Sequence, residues 1–255
     1  MKMLLLLAFM AACAAFASRP VDYKDGDTVL EGALAMPKDV KDRTPIVLIV
    51  HDWNGIDSYE EGRADQIAKL GYIGFAIDIY GKGVRPKDAK ESAAEAGKFY
   101  RDNALLRSRV KAAIDFAATI PHVDMKRMAM IGYCFGGMTV LDAARNGVDV
   151  LGVVSFHGGG FKTSNPAKAG DVKAKVLVLH GDADTASPVA DVEAFKQEMK
   201  NAGVDCRVVI YHGAKHAFTV PGSDKMGNPG VGYDAKADKA SWIEMRKFLK
   251  ELFGM

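Results

Sequence analysis

Cysteine is scarce in this chain, with 3 in 255 residues. None sits in a Cys-x-x-Cys pair, and no Cys/His spacing suits a structural zinc, so no metal is expected. Charge of one sign is also lacking: 34 Lys and Arg stand against 32 Asp and Glu, for a net +2. No basic cluster with interleaved aromatics occurs, which removes nucleic acid from the expected partners. Internal repeats and low-complexity linkers are absent, so nothing divides the chain into two domains. Long apolar runs are lacking outside the N-terminus, and that one falls short of the ~20 residues a membrane span requires.

The N-terminal run reads instead as an address. Lys2, an apolar stretch, then Ala15-Phe-Ala17 before Ser18 form a secretory signal with an A-x-A cleavage site. Residues 1–17 are expected to be a signal peptide and 18–255 a single domain, periplasmic or secreted. Met10-Ala-Ala-Cys13 resembles a lipobox, but Met is a poor first residue for one. Cleavage after Ala17 is therefore expected in preference to a lipid anchor at Cys13. Cleavage leaves Cys134 and Cys206. An exported chain could bridge them, but Cys206 opens an apolar strand and reads as core or strand edge.

The remaining sequence alternates. Residues 21–36 read as a hairpin turning at Asp25-Gly-Asp27. The β-branched run 45–50 reads as a strand buried on both faces, as in a parallel sheet, and 72–80, 128–131, 150–156, 174–179 and 206–211 read as further strands. Helical spacing fills the gaps. One helix starts near Ser58, where Ser58 and Glu61 fit a capping box. A long one covers 87–119 with a break near 101–103, and residues 121–126 read as a turn. The last helix, 235–252, is expected to turn Ala240, Trp242, Ile243, Met245, Phe248 and Leu249 inward. The fold class is α/β, with a mostly parallel doubly wound sheet, helices on both faces and an N-terminal antiparallel hairpin. In such sheets ligands bind beyond the carboxyl ends of the strands.

At one of those ends lies Gly132-Tyr-Cys-Phe-Gly-Gly137. The pattern resembles the nucleophile elbow of the α/β-hydrolase fold, with Cys134 where serine is usual. A residue at a tight strand-to-helix turn is strained, and its neighbours must lack a β-carbon for strand and helix to approach. The helix N-terminus also favours a thiolate. An activated thiol needs a base, and the base needs a partner. The order nucleophile, acid, histidine is met by Cys134, an Asp of Asp182-Ala-Asp184, and a His after the last strand. Asp184, deeper in its loop, is favoured over Asp182, which reads as a turn cap. His216 is favoured over His212 because a loop position beyond Gly213 can reach across. The backbone N–H groups of Phe135 and Trp53 are the expected oxyanion hole.

The elbow, the loop His180-Gly-Asp-Ala-Asp184 with Pro188, and Gly213-Ala-Lys-His-Ala-Phe218 resemble the dienelactone hydrolase family over essentially the whole mature chain. The resemblance implies an α/β-hydrolase fold and a Cys-His-Asp triad at Cys134, His216 and Asp184. It places Asp52 where the family has a glutamate that helps to ionise the thiol; the other reading of Asp52 is a turn carboxylate. It offers Arg85 as a substrate-carboxylate ligand, the other reading being an exposed loop residue. The region 217–221, where the family's type member carries a further arginine, has none. The expected activity is hydrolysis of small carboxylic esters or lactones without metal or organic cofactor. The alternatives are a non-catalytic exported binding module, or an acyltransferase or thioesterase using the same triad.

Overall fold

A computed structural model describes residues 17–254. The expected signal peptide and Cys13 lie outside the described residues, apart from Ala17 at the expected cleavage site. The hairpin is formed by β1 (Arg19–Asp25) and β2 (Thr28–Ala35). Then follow β3 (Thr44–Val50), α1 (Ser58–Lys69), β4 (Ile73–Ile77), α2 (Ala89–Arg101), α3 (Asn103–Ala117), β5 (Val123–Tyr133) and α4 (Phe135–Arg145). β6 (Gly152–Phe156), β7 (Lys175–Gly181), α5 (Val189–Asn201), β8 (Cys206–Tyr211) and α6 (Ala235–Phe253) complete the chain.

All eight strands form one sheet in the order β1-β2-β4-β3-β5-β6-β7-β8. β1 and β2 pair antiparallel, and β2 joins β4 antiparallel. Every other pairing is parallel. This is the α/β-hydrolase fold. Alternate side chains of each strand feed two cores. Ile46, Leu48 and Val50 pack with residues of α2, α3, α4 and α5. Val47 and Ile49 pack on the opposite face with residues of α1 and α6. The β-branched run of β3 is fully buried for this reason. Among the described residues, no helix is long and apolar enough to cross a membrane.

Three expectations are corrected. The segment 121–126 is not all turn, because β5 begins at Val123, where it pairs with Thr44 across a register irregularity. The cap of α1 is Asp57 with Glu60, one residue earlier than Ser58 with Glu61. Asp57 has the extended φ of −137° that a cap needs, and Glu60 is buried against the preceding loop. On α6, Ile243 faces out at 39% exposure, and Ser241 is buried instead. The long helix does break where expected, at Asp102, whose side chain caps α3 through the Leu105 N–H.

Candidate active site

Cys134 stands between the last residue of β5 and the first of α4, at φ 53° and ψ −110°. Such a conformation costs a non-glycine residue about 1–3 kcal/mol. The surroundings force it. A β-carbon on Gly132 would lie 2.1 Å from the Gly136 carbonyl oxygen, and one on Gly136 would lie 2.2 Å from the Val50 oxygen. The strand, the turn and the helix therefore meet backbone to backbone, and the thiol is held out at the tip.

The sulfur has one hydrogen-bond partner among the described residues. His216 Nε2 lies 3.0 Å from Cys134 Sγ, and His216 Nδ1 lies 2.8 Å from Asp184 Oδ2. The Asp184 side chain is fully buried. Its other oxygen accepts the N–H groups of Ala186 and Ser187 at 2.8 and 3.1 Å. The His216 backbone is fixed as well: its N–H donates to Gly230 O, and its carbonyl accepts from Gly232, both at 3.0 Å. Burial alone would lower the basicity of His216. The Cys134 sulfur and the Asp184 carboxylate outweigh that and hold it well above the usual imidazole range.

The competing pair is separate. His212 is 99% exposed in its side chain and bonds Asp182 at 2.8 Å, while Asp182 also accepts the Gly213 N–H. The structure thus joins Cys134, His216 and Asp184 in one line and leaves Asp182 and His212 as a surface turn. Cys206 is likewise apart, a free thiol on β8 that burial pushes up to about 12.

The backbone N–H groups expected to form the oxyanion hole have no acceptor among the described residues. That of Phe135 opens α4, and that of Trp53 lies in the loop after β3, the strand beside β5. Asp52 and Trp53 line the same cleft as Cys134 and His216, a space of about 450 Å³. Ala186, Ala217, Val220, Met226 and Val231 supply its apolar wall. Asp52 is 9% exposed and its carboxylate is held by Asn54, through N at 2.7 Å and Nδ2 at 3.2 Å. Burial pushes its pKa up to about 6, against those two hydrogen bonds. It is a cleft residue and a turn carboxylate at once.

Arg85 is not brought to the cleft. Its guanidinium bonds the carbonyls of Val84 and Glu31 and pairs with the carboxylates of Glu31 and Asp78. Asp78 is fully buried and already caps the N–H groups of Tyr80, Gly81 and Glu31, so Arg85 is held by the loop that carries it.

Sequence reasoning missed the layer behind the histidine. The His157 ring stands edge-on to His216 at 5.4 Å, and its Nε2 meets Thr219 Oγ1 at 2.7 Å. Tyr59 OH shares that hydroxyl at 2.6 Å, and Arg63 bonds Tyr59 OH, Thr219 O and Asp238. The only sequence sign was His157 at a strand end. Among the described residues no group of three His, Cys, Asp or Glu side chains could hold a metal ion.

The sequence model of the dienelactone hydrolase family matches residues 30–253. A Synechocystis protein provisionally named carboxymethylenebutenolidase is 26% identical over 87% of this chain and 91% of its own. A Methylorubrum extorquens protein with the same provisional name is 32% identical over 75% of this chain and 69% of its own. Among solved structures, a dienelactone hydrolase-like promiscuous phosphotriesterase from metagenomic libraries superposes with a TM-score of 0.86. It is 34% identical, over 94% of this chain and all of that one.

Proposed function

The chain belongs to the dienelactone hydrolase family and is an ester hydrolase of that kind; from that premise we propose that it cleaves small, neutral carboxylic esters or lactones through a thiol-ester at Cys134. The observation that carries this reading is the continuous line from Cys134 Sγ through His216 to the buried Asp184 carboxylate, opening on an apolar cleft.

The Cys134 thiolate attacks the acyl carbon, and the carbonyl electron pair moves onto oxygen. The N–H groups of Phe135 and Trp53 receive that oxyanion. Collapse breaks the bond to the leaving oxygen, which takes a proton from His216. His216, now neutral and oriented by Asp184, takes a proton from water, and the resulting hydroxide attacks the thiol-ester. Collapse of the second intermediate returns the thiolate and releases the acid. The neutral-substrate preference rests on the lining: among the described residues His216 is its sole cationic group, Asp52 adds a carboxyl, and Arg85 is engaged elsewhere. The N-terminal signature places the enzyme outside the cytoplasm in this reading, with the mature chain beginning at Ser18, which the mass of the purified protein checks.

Wild-type protein is expected to hydrolyse p-nitrophenyl acetate, and Cys134→Ala to abolish it; unchanged turnover in that variant sinks the assignment. A neutral lactone is expected to be a better substrate than its carboxylate-bearing analogue. A second reading, phosphotriester hydrolysis at the same thiolate, is favoured by the identity to the phosphotriesterase named above. A neutral phosphotriester added to the substrate panel tests it.

A further inference from the structure

The residue that follows β3, His51, has no part in the triad, yet it bonds the peptide that carries the Trp53 N–H. His51 is fully buried. Its Nε2 lies 3.2 Å from the backbone N of Ile79, and its Nδ1 lies 2.5 Å from the carbonyl oxygen of Asp52. The Ile79 N–H can only donate, so Nε2 accepts. That assigns the ring proton to Nδ1, which donates to Asp52 O. Burial lowers the basicity of this imidazole, in keeping with the neutral ring.

The acceptor matters. Asp52 O and the Trp53 N–H belong to one peptide unit, which is planar and trans, so fixing the oxygen fixes the direction of the N–H. A donor on the carbonyl also polarises the amide and strengthens its N–H as a donor. The neighbouring peptides are held by other groups. Asp52 N–H donates to Glu60 at 3.2 Å, and Tyr80 OH donates to Trp53 O at 3.0 Å. Trp53 N–H is the one left without an acceptor among the described residues. The His51 ring also stacks on Phe135 at 5.8 Å and meets Tyr80 at 4.6 Å, so it touches the residue carrying the other free N–H.

We propose that His51 is a positioning residue of the oxyanion hole, its Nδ1–H holding the Asp52–Trp53 peptide with the Trp53 N–H toward the Cys134 cleft. The inference rests on the reading of Trp53 as an oxyanion donor. It differs from a structural role because it assigns the effect to one of the two ring nitrogens.

Two substitutions separate those nitrogens. His51→Asn keeps a donor near the Nδ1 position and loses the acceptor for Ile79. His51→Gln keeps an acceptor near Nε2 and loses the donor to Asp52 O. Removal of an oxyanion donor costs about 10²–10³ in kcat, and a loosened one less. His51→Gln is therefore expected to lower kcat for p-nitrophenyl acetate about 10–100-fold with KM within about threefold, and His51→Asn to stay within about fivefold of wild type. Alkylation of Cys134 by iodoacetamide uses the thiolate but no oxyanion hole. Its rate is expected to stay within about twofold in both variants. Equal kcat losses in the two variants, an unchanged His51→Gln, or alkylation falling in step with turnover would each overturn the proposal. A wild-type protein without Cys134-dependent turnover overturns the parent reading instead, which separates the two failures.

Discussion

His216 Nδ1 approaches the one Asp184 oxygen that the backbone leaves free, since Oδ1 is taken by the Ala186 and Ser187 N–H groups and Oδ2 lies 2.8 Å from the ring. The carboxylate is thus immobile before the histidine arrives. The imidazole tautomer follows from it: Nδ1 carries the proton toward Asp184, and Nε2 is free to exchange a proton with the thiol.

Asp184→Asn keeps an acceptor for the two backbone N–H groups but can present an amide N–H to His216. The wrong tautomer results, and kcat for p-nitrophenyl acetate is expected to fall about 10²–10⁴-fold with the fold intact by circular dichroism. His212→Ala, at the exposed pair with Asp182, is expected to change kcat less than about twofold. A loss in His212→Ala as large as in Asp184→Asn would move the site to the wrong histidine.

Asp52 carries a pH signature. Its pKa is raised by burial to about 6 in the folded chain, from an ordinary 3.8. The folded state therefore binds the proton more tightly than the unfolded one. The favourable contribution of the neutral form is present below the unfolded pKa and is lost as pH rises toward 6. Near neutral pH the buried charge costs up to about 3 kcal/mol. Asp52→Asn is expected to raise the urea midpoint at pH 8 and to leave it nearly unchanged at pH 4. Equal stabilisation at both pH values would mean that the charge is not the cause.

Glycine at position 136 is required by contact, whereas glycine at 213 is required only by conformation. A β-carbon at 136 meets the Val50 oxygen at 2.2 Å, but one at 213 meets nothing within 4 Å, at φ +76°. Gly213→Ala is expected to cost about 1–2 kcal/mol, and Gly136→Ala at least about 3 kcal/mol or the soluble protein itself. Urea unfolding of the two variants side by side decides the order.

Arg85→Gln is expected to leave the ratio of kcat/KM for neutral and carboxylate-bearing substrates unchanged, because the guanidinium serves Glu31 and Asp78 rather than the cleft. Its effect belongs in stability, since the fully buried Asp78 loses a cation. A selective loss on the anionic substrate would return Arg85 to the substrate.

The sequence was most readable where burial is two-sided. β3 and β7 appear as unbroken apolar runs because both their faces are covered. The start of β5 was not readable: Val123 to Arg127 carries three charged residues, and the segment joins the sheet through the pairing of Val123 with Thr44. The cap of α1 was ambiguous, since Asp57 with Glu60 and Ser58 with Glu61 share one spacing. What decides between them is tertiary, the burial of Glu60 between the N–H groups of Asp52 and Asp57. The line from Cys134 to His216 and Asp184 was legible because each residue follows a strand end, in a recognisable order. The layer of Tyr59, Thr219 and His157 was not, because its members lie 160 and 62 residues apart and follow no local rule.

The excursion between His216 and Val231 closes on itself through a single parallel bridge. Its interior supplies Ala217, Val220 and Met226 to the cleft wall, while the thiol and Asp184 stand at the ends of β5 and β7. The excursion is thus a cassette clasped at its base. Within it, Phe218 and Thr219 are buried anchors, whereas Val220 and Met226 only face the cleft, so the choice of accepted molecule and the placement of His216 rest on different side chains of one segment.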